Sequence, residues 1–170
     1  MKFFYNLLII FFILILHQQP LKAETYFLDF KYILNKSNAG KKANEILKKE
    51  LDQGIKKLQD NEKKLEKEEK EIMQQKKVLS TEEYKKKITA LRQRVSSLQK
   101  NRNSLLESVA KKRNKGRKQL LDELNPLVKN YMQEKNIKIV LDKKNILLGD
   151  EKLDITKDIM SLLNKKLSYE

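Results

Sequence analysis

The sequence contains no cysteine and no tryptophan, and it has a single histidine, His17. Without cysteine there is no thiol nucleophile, no disulfide and no thiolate metal site. His17 lies in an apolar leader, so a chain that loses the leader also loses imidazole as a base or ligand. Four glycines and two prolines leave few points of punctuation along the chain. No nucleophile–base pair can be named among the groups that remain, which argues against an enzyme. No cofactor is expected.

The first 23 residues read as a secretory signal peptide. Lys2 provides the positive start, Phe3 to Leu16 the apolar stretch, and Leu21-Lys22-Ala23 a small-residue end, with cleavage expected between Ala23 and Glu24. The other reading is an uncleaved anchor, but a membrane-spanning helix needs about 20 apolar residues. The expected compartment is the periplasm. Removing Lys2 and Lys22 lowers the formal charge from +15 to +13. Such a chain is drawn to anionic surfaces, although a lysine-, asparagine- and isoleucine-rich composition also follows from AT-rich codon usage.

Tyr26 to Phe30 alternates as a strand does. Ser37 or Asn38 is placed to cap a helix, with Gly40 just inside its start. A heptad column follows: Leu51, Leu58, Leu65, Ile72 and Leu79. Its companion column, Ile55, Glu62, Glu69 and Lys76, is mostly charged. A second arm carries Tyr84, Leu91, Leu98 and Leu105 beside Ile88, Val95, Arg102 and Val109. The columns slip between Leu79 and Tyr84, and Ser80 with Glu83 fits a capping box. These two signals predict a turn there rather than one unbroken helix. Folding the chain back about Ser80 brings Arg102 within one layer of Glu62.

Pro126 predicts a bend or a new helical start. Ile137 to Asp142 and Ile146 to Asp150 read as strands joined by a tight Lys-Lys-Asn connection. Asp154 or Thr156 is expected to cap a last helix with Ile159, Leu162 and Leu163 on one face. The N-terminal strand has no partner nearby, so it must pair with C-terminal strands. The fold class is therefore α+β, mostly helical. The expected division is residues 1–23 as signal peptide, 24–38 with 126–170 as a β-containing body, and 39–125 as a helical hairpin with its tip near 78–83. A body this small buries too little surface to be stable alone. Oligomerisation is expected, with Leu28, Phe30, Ile139, Leu141 and Leu147 in or beside the shared core.

These features together resemble the Skp/OmpH family of periplasmic chaperones. The likeness rests on "FLDFKYILNKSNAGKKA", which follows the family's Val-Asp-x-x-x-Val-x-x-x-Ser-x-Ala-Gly-Lys opening. It rests also on "LSTEEY" at the tip and "IVLD…ILLGDEKLDITKDIMSLLN" at the end. It implies a homotrimer with a barrel body and three hairpin arms. Those arms would enclose unfolded outer-membrane proteins without ATP and prevent their aggregation.

Lys85, Lys86, Lys87, Arg92 and Arg94 cluster near the tip and are candidates for contact with clients or with an anionic lipid or lipopolysaccharide surface. A charge run of this kind is also an ordinary solvated helix face. A secreted coiled-coil scaffold docking on another envelope protein is the alternative reading. Nucleic acid is not an expected partner, because export argues against it and no aromatic-interleaved basic platform is present.

Overall fold

The computed structural model describes residues 24–168. The expected signal peptide and Ala23 lie outside them, and Glu24 is the first residue described. β1 (Thr25–Leu28) leads into α1 (Phe30–Lys36) and then α2 (Asn38–Gln74). A short 3₁₀ turn and Ser80 reverse the chain into α3 (Thr81–Glu134). β2 (Ile139–Asp142) and α4 (Thr156–Lys166) complete it.

β1 ends earlier than its alternation predicts. The Asp29 carboxylate accepts from the Tyr32 backbone N–H at 2.7 Å and caps α1, so Phe30 is helical rather than extended. β1 and β2 pair in parallel, Thr25 with Ile139 through to Leu28 with Asp142. The other edge of β1 is engaged at Phe27, whose carbonyl accepts from Ile155 N–H at 3.0 Å. Both faces of β1 are covered, since Phe27 and Leu28 are each buried. The core of the body gathers Leu28, Ile33, Leu124, Val128, Ile155, Ile159 and Leu163.

Ile146 to Asp150 is not a strand. Lys-Lys-Asn forms a single 3₁₀ turn, opened by Asp142, which accepts from the Lys144 N–H at 3.2 Å. The segment that follows wraps around the Phe27 ring. Lys143 Nζ sits 5.6 Å from the ring centroid, and a Cβ on Gly149 would come within 2.9 Å of the ring edge.

Nor does a new helix start at Pro126, because α3 runs through it to Glu134. A proline inside a helix leaves the carbonyl four residues earlier without its donor, at a cost of about 3 kcal/mol. Here Pro126 and Asp122 are both exposed, so water can serve that carbonyl. Leu124 and Val128 on the opposite face are buried in the core and hold the helix in place. Asn136, in the left-handed region at φ 55°, then turns the chain toward β2.

α4 buries Ile159 and Leu163 as expected, but Leu162 faces outward, 38% exposed. The third inward residue is Ile155, one turn earlier. Neither Asp154 nor Thr156 is the N-cap, a position held by Ile155. Instead Asp154 accepts from the Thr156 N–H at 2.9 Å, and the Thr156 hydroxyl accepts from the Asp29 N–H at 2.9 Å. That bond ties together residues 127 apart in sequence.

The reversal at Ser80 forms as predicted. Ser80 accepts from the Glu83 N–H at 3.3 Å, and Glu83 accepts from the Ser80 N–H at 3.1 Å. Four contacts set the register between α2 and α3: Glu50–Lys112 at 2.5 Å, Glu62–Arg102 at 3.5 Å, Glu68–Arg94, and Gln75–Lys87 at 2.7 Å. Three of them are centred on Thr81, one residue from the axis inferred from the heptads. At 1.5 Å per residue α2 is about 55 Å long.

Candidate functional site

The arm is two antiparallel helices with unequal faces. On α2 the leucine column turns inward, with Leu58 and Ile72 buried. Its companion column does not. Ile55, Glu69 and Lys76 are exposed, and only Glu62 is half-buried against Arg102. On α3, Leu91 and Val109 are buried, while Val95 is 50% exposed. The seam is therefore incomplete where the sequence shows charge. A cavity of about 340 Å³ opens there between Glu62, Leu65, Glu69, Leu91, Val95 and Leu98.

The five cations expected to meet clients or lipid are not equivalent. Lys87 and Arg94 reach across to Gln75 and Glu68 and link the two helices. Arg92 borders the mid-arm cavity. Lys85 and Lys86 are exposed. Nearby, Val78 is 82% and Met73 60% exposed, so the tip offers apolar surface as well as charge.

The five residues expected at the shared core also divide. Leu28 is fully buried within its own chain, and Phe30 packs against that core. Ile139 and Leu141 project from one face of β2 and are 50% and 43% exposed. Leu147 is 95% exposed, as is its neighbour Leu148 at 90%. These two sit in the segment that wraps Phe27, not on a strand.

At the root of the arm the helices part. They touch at Gly54, where a Cβ would lie 2.5 Å from a Leu105 methyl. Toward the body, nothing lies within 4 Å of a Cβ built on Gly116. The space between is a cavity of about 820 Å³. The heptad columns contain no signal for it, because it depends on how far two helices diverge.

Titration is perturbed mainly around the Phe27 wrap. Burial raises the Asp154 pKa, but hydrogen bonds from Lys143 and Thr156 outweigh it and hold the carboxyl below the usual range. The same bond to Asp154 raises the Lys143 pKa. Burial and the hydrogen bond to Asp158 push Tyr131 up to about 12. Among the described residues no cluster of acidic groups is arranged to hold a metal ion, and no helix is long and apolar enough to cross a membrane.

A small mixed body and a long, partly unfilled helical hairpin define the class: an α+β protein presenting a coiled-coil arm. The chain belongs to the OmpH-like outer membrane protein family, whose model matches residues 24–163. A crystal structure from Caulobacter crescentus CB15, described as a candidate outer membrane chaperone (OmpH-like), shares the fold with a TM-score of 0.80. It is 18% identical, and the match covers 87% of this chain and 88% of that one. No curated protein sequence matches the chain.

Proposed function

We propose that this chain is an ATP-independent periplasmic holdase. It acts as a homotrimer, binds unfolded outer-membrane β-barrel proteins between its arms and keeps them from aggregating. The observation that carries this reading is the unfilled face of the arm, where Val95 and the partly exposed Leu65 and Leu98 beside the mid-arm cavity offer apolar surface without a fixed shape. Such a face accepts many sequences weakly, as a holdase must, and needs no cofactor or catalytic group. Family membership supports the compartment, and the leader ending at Ala23 fits export. Exposed Ile139, Leu141, Leu147 and Leu148 are the surface a trimer would cover. Lys85 and Lys86 would draw acidic clients or an anionic leaflet by forces that salt screens.

Sedimentation of residues 24–170, with and without a urea-denatured β-barrel protein, tests this. The chain alone should run as a trimer and carry the diluted client in a soluble complex. A folded monomer at micromolar concentration would refute the assembly, and a client that pellets equally with and without the chain would refute the activity. The adaptor reading is favoured by one feature, exposed Val78 and Met73 at the tip. It expects a single stoichiometric partner lost on Val78→Glu.

A further inference from the structure

The cavity at the arm's root combines an apolar floor with a cationic rim. Leu34, Leu47, Leu51, Val109 and Leu120 form the floor, contributed by α1, α2 and α3. Lys31, Lys48, Lys112, Arg113 and Arg117 stand around it against one carboxylate, Glu50. Glu50 is already paired with Lys112. That leaves Lys31, Lys48, Arg113 and Arg117 with no ion-pair partner among the described residues. The volume of about 820 Å³ is in the range of sites that enclose ligands.

The placement of these cations selects among occupants. From Gly40 to Glu50 the groove runs along α2 for roughly 15 Å. Lys31 on α1 lies near the Gly40 end, and Lys48 lies near the Glu50–Lys112 pair at the other. Arg113 and Arg117 are one turn apart on the facing bank. A single anionic headgroup would need its cations gathered at one end. Cations at both ends suit repeated carboxylates along an extended chain, which at roughly 3.3 Å per residue would lay about five residues in the groove. Alternate side chains of such a segment point one way, so its apolar residues can enter the floor while the intervening acids meet the long side chains of the rim.

We propose that this groove is a binding site for extended polypeptide in which apolar and acidic residues alternate. The proposal rests on the reading of the chain as a binder of unfolded β-barrel proteins, whose strands have that period, and it assigns one discrete site for them at the root of the arm.

Fluorescence anisotropy on residues 24–170 tests it with three labelled peptides: valine alternating with glutamate, valine with lysine, and serine with glutamate. The valine–glutamate peptide should bind about tenfold more tightly than either other peptide, and binding should weaken with salt. Gly116→Phe projects a ring into open space on a helix where any residue except proline is better tolerated than glycine. It should fill the groove and weaken binding about tenfold without unfolding the arm, as circular dichroism will verify. Arg113→Glu with Arg117→Glu should do the same through charge, while Lys152→Glu with Lys157→Glu, on the body, should not. Unchanged affinity in Gly116→Phe, or no preference for the valine–glutamate peptide, overturns the proposal. So does binding of dodecyl phosphate in its place, which would make the ligand an amphiphile. Protection of a diluted β-barrel client from aggregation is measured in parallel. Protection by the wild type without peptide preference sinks the site and leaves the holdase reading intact; absence of protection sinks that reading itself.

Discussion

Gly54 of α2 lies directly beneath Leu105 of α3, so close that a Cβ on the glycine would stand 2.5 Å from one Leu105 methyl and 2.6 Å from the other. The two helices of the arm are in contact because one of them has no side chain there. Gly54→Leu should therefore lower stability by about 1–3 kcal/mol through overpacking, despite leucine's better helix propensity. Leu105→Ala in the same chain should recover part of that loss, since it vacates the space. Urea midpoints of the four species, at one protein concentration, give the coupling. Strictly additive effects would show that the contact does not exist.

Two other helical glycines should respond in opposite directions. A Cβ on Gly40 would stand 2.2 Å from the Leu34 carbonyl oxygen, a backbone atom that cannot rotate away. Gly40→Ala should cost about 3 kcal/mol. Gly116→Ala meets nothing and should gain up to about 1 kcal/mol from helix propensity alone. Thermal unfolding of both variants decides it, and equal shifts would contradict the contrast.

Asp154 makes the body sensitive to acid. Its folded pKa is lowered, so its stabilising contribution is present at neutral pH and is lost as pH falls through that lowered value. Lys143, with its pKa raised, keeps its contribution until pH rises through a value above the ordinary lysine range. Asp154→Asn should flatten both limbs of the stability–pH curve. Curves that remain parallel from acid to alkaline pH would dismiss the pair as a determinant.

The unfilled seam predicts a trade between stiffness and breadth. Glu62→Leu with Glu69→Leu should raise the melting temperature, with about 1 kcal/mol from half-buried Glu62 and less from exposed Glu69. Loss of the half-buried Glu62–Arg102 pair offsets about 0–1 kcal/mol of that. If the arms must flex around clients of different size, protection of a large β-barrel protein should fall more than protection of a small one. Equal protection by a demonstrably stiffer arm would identify the charged column as drift.

Ile139→Glu with Leu141→Glu should leave the folded chain monomeric by light scattering. Both side chains project from β2 without entering the chain's own core. An unchanged mass would place the interface elsewhere.

The arm was legible because its signals are local. Heptad spacing, the slip between Leu79 and Tyr84, and the Ser80–Glu83 capping box depend on neighbours within a few turns, and together they placed Glu62 beside Arg102. The body was legible only in part. That β1 needs a C-terminal partner followed from elimination. That Ile146 to Asp150 is a wrap around Phe27 did not follow, because apolar residues there read as a strand until the ring and Gly149 are seen in contact. Asp29 is of a type that caps helices, but the alternation from Tyr26 to Phe30 reads as a strand through it. Pro126 misled because its cost depends on whether Asp122 is wet. Among the tip cations, Lys87 and Arg94 are cross-links and Lys85 and Lys86 are not, a distinction set by register rather than by charge. The root groove left no trace, since it is the place where two helices stop touching.

The parallel pairing of β1 with β2 has a consequence for the order of folding. The strand that is synthesised first finds its partner only after the whole hairpin has followed, and the Asp29–Thr156 bond closes later still. Closing so long a loop in an unstructured chain is slow. A hairpin already zipped from its Ser80 turn removes most of that loop and delivers the two strands to the same place. The arm is then the scaffold on which the body forms. A slow step that vanishes in a circular permutant joining the end of α4 to the start of β1, with its new ends at the tip, would be the kinetic signature of that order.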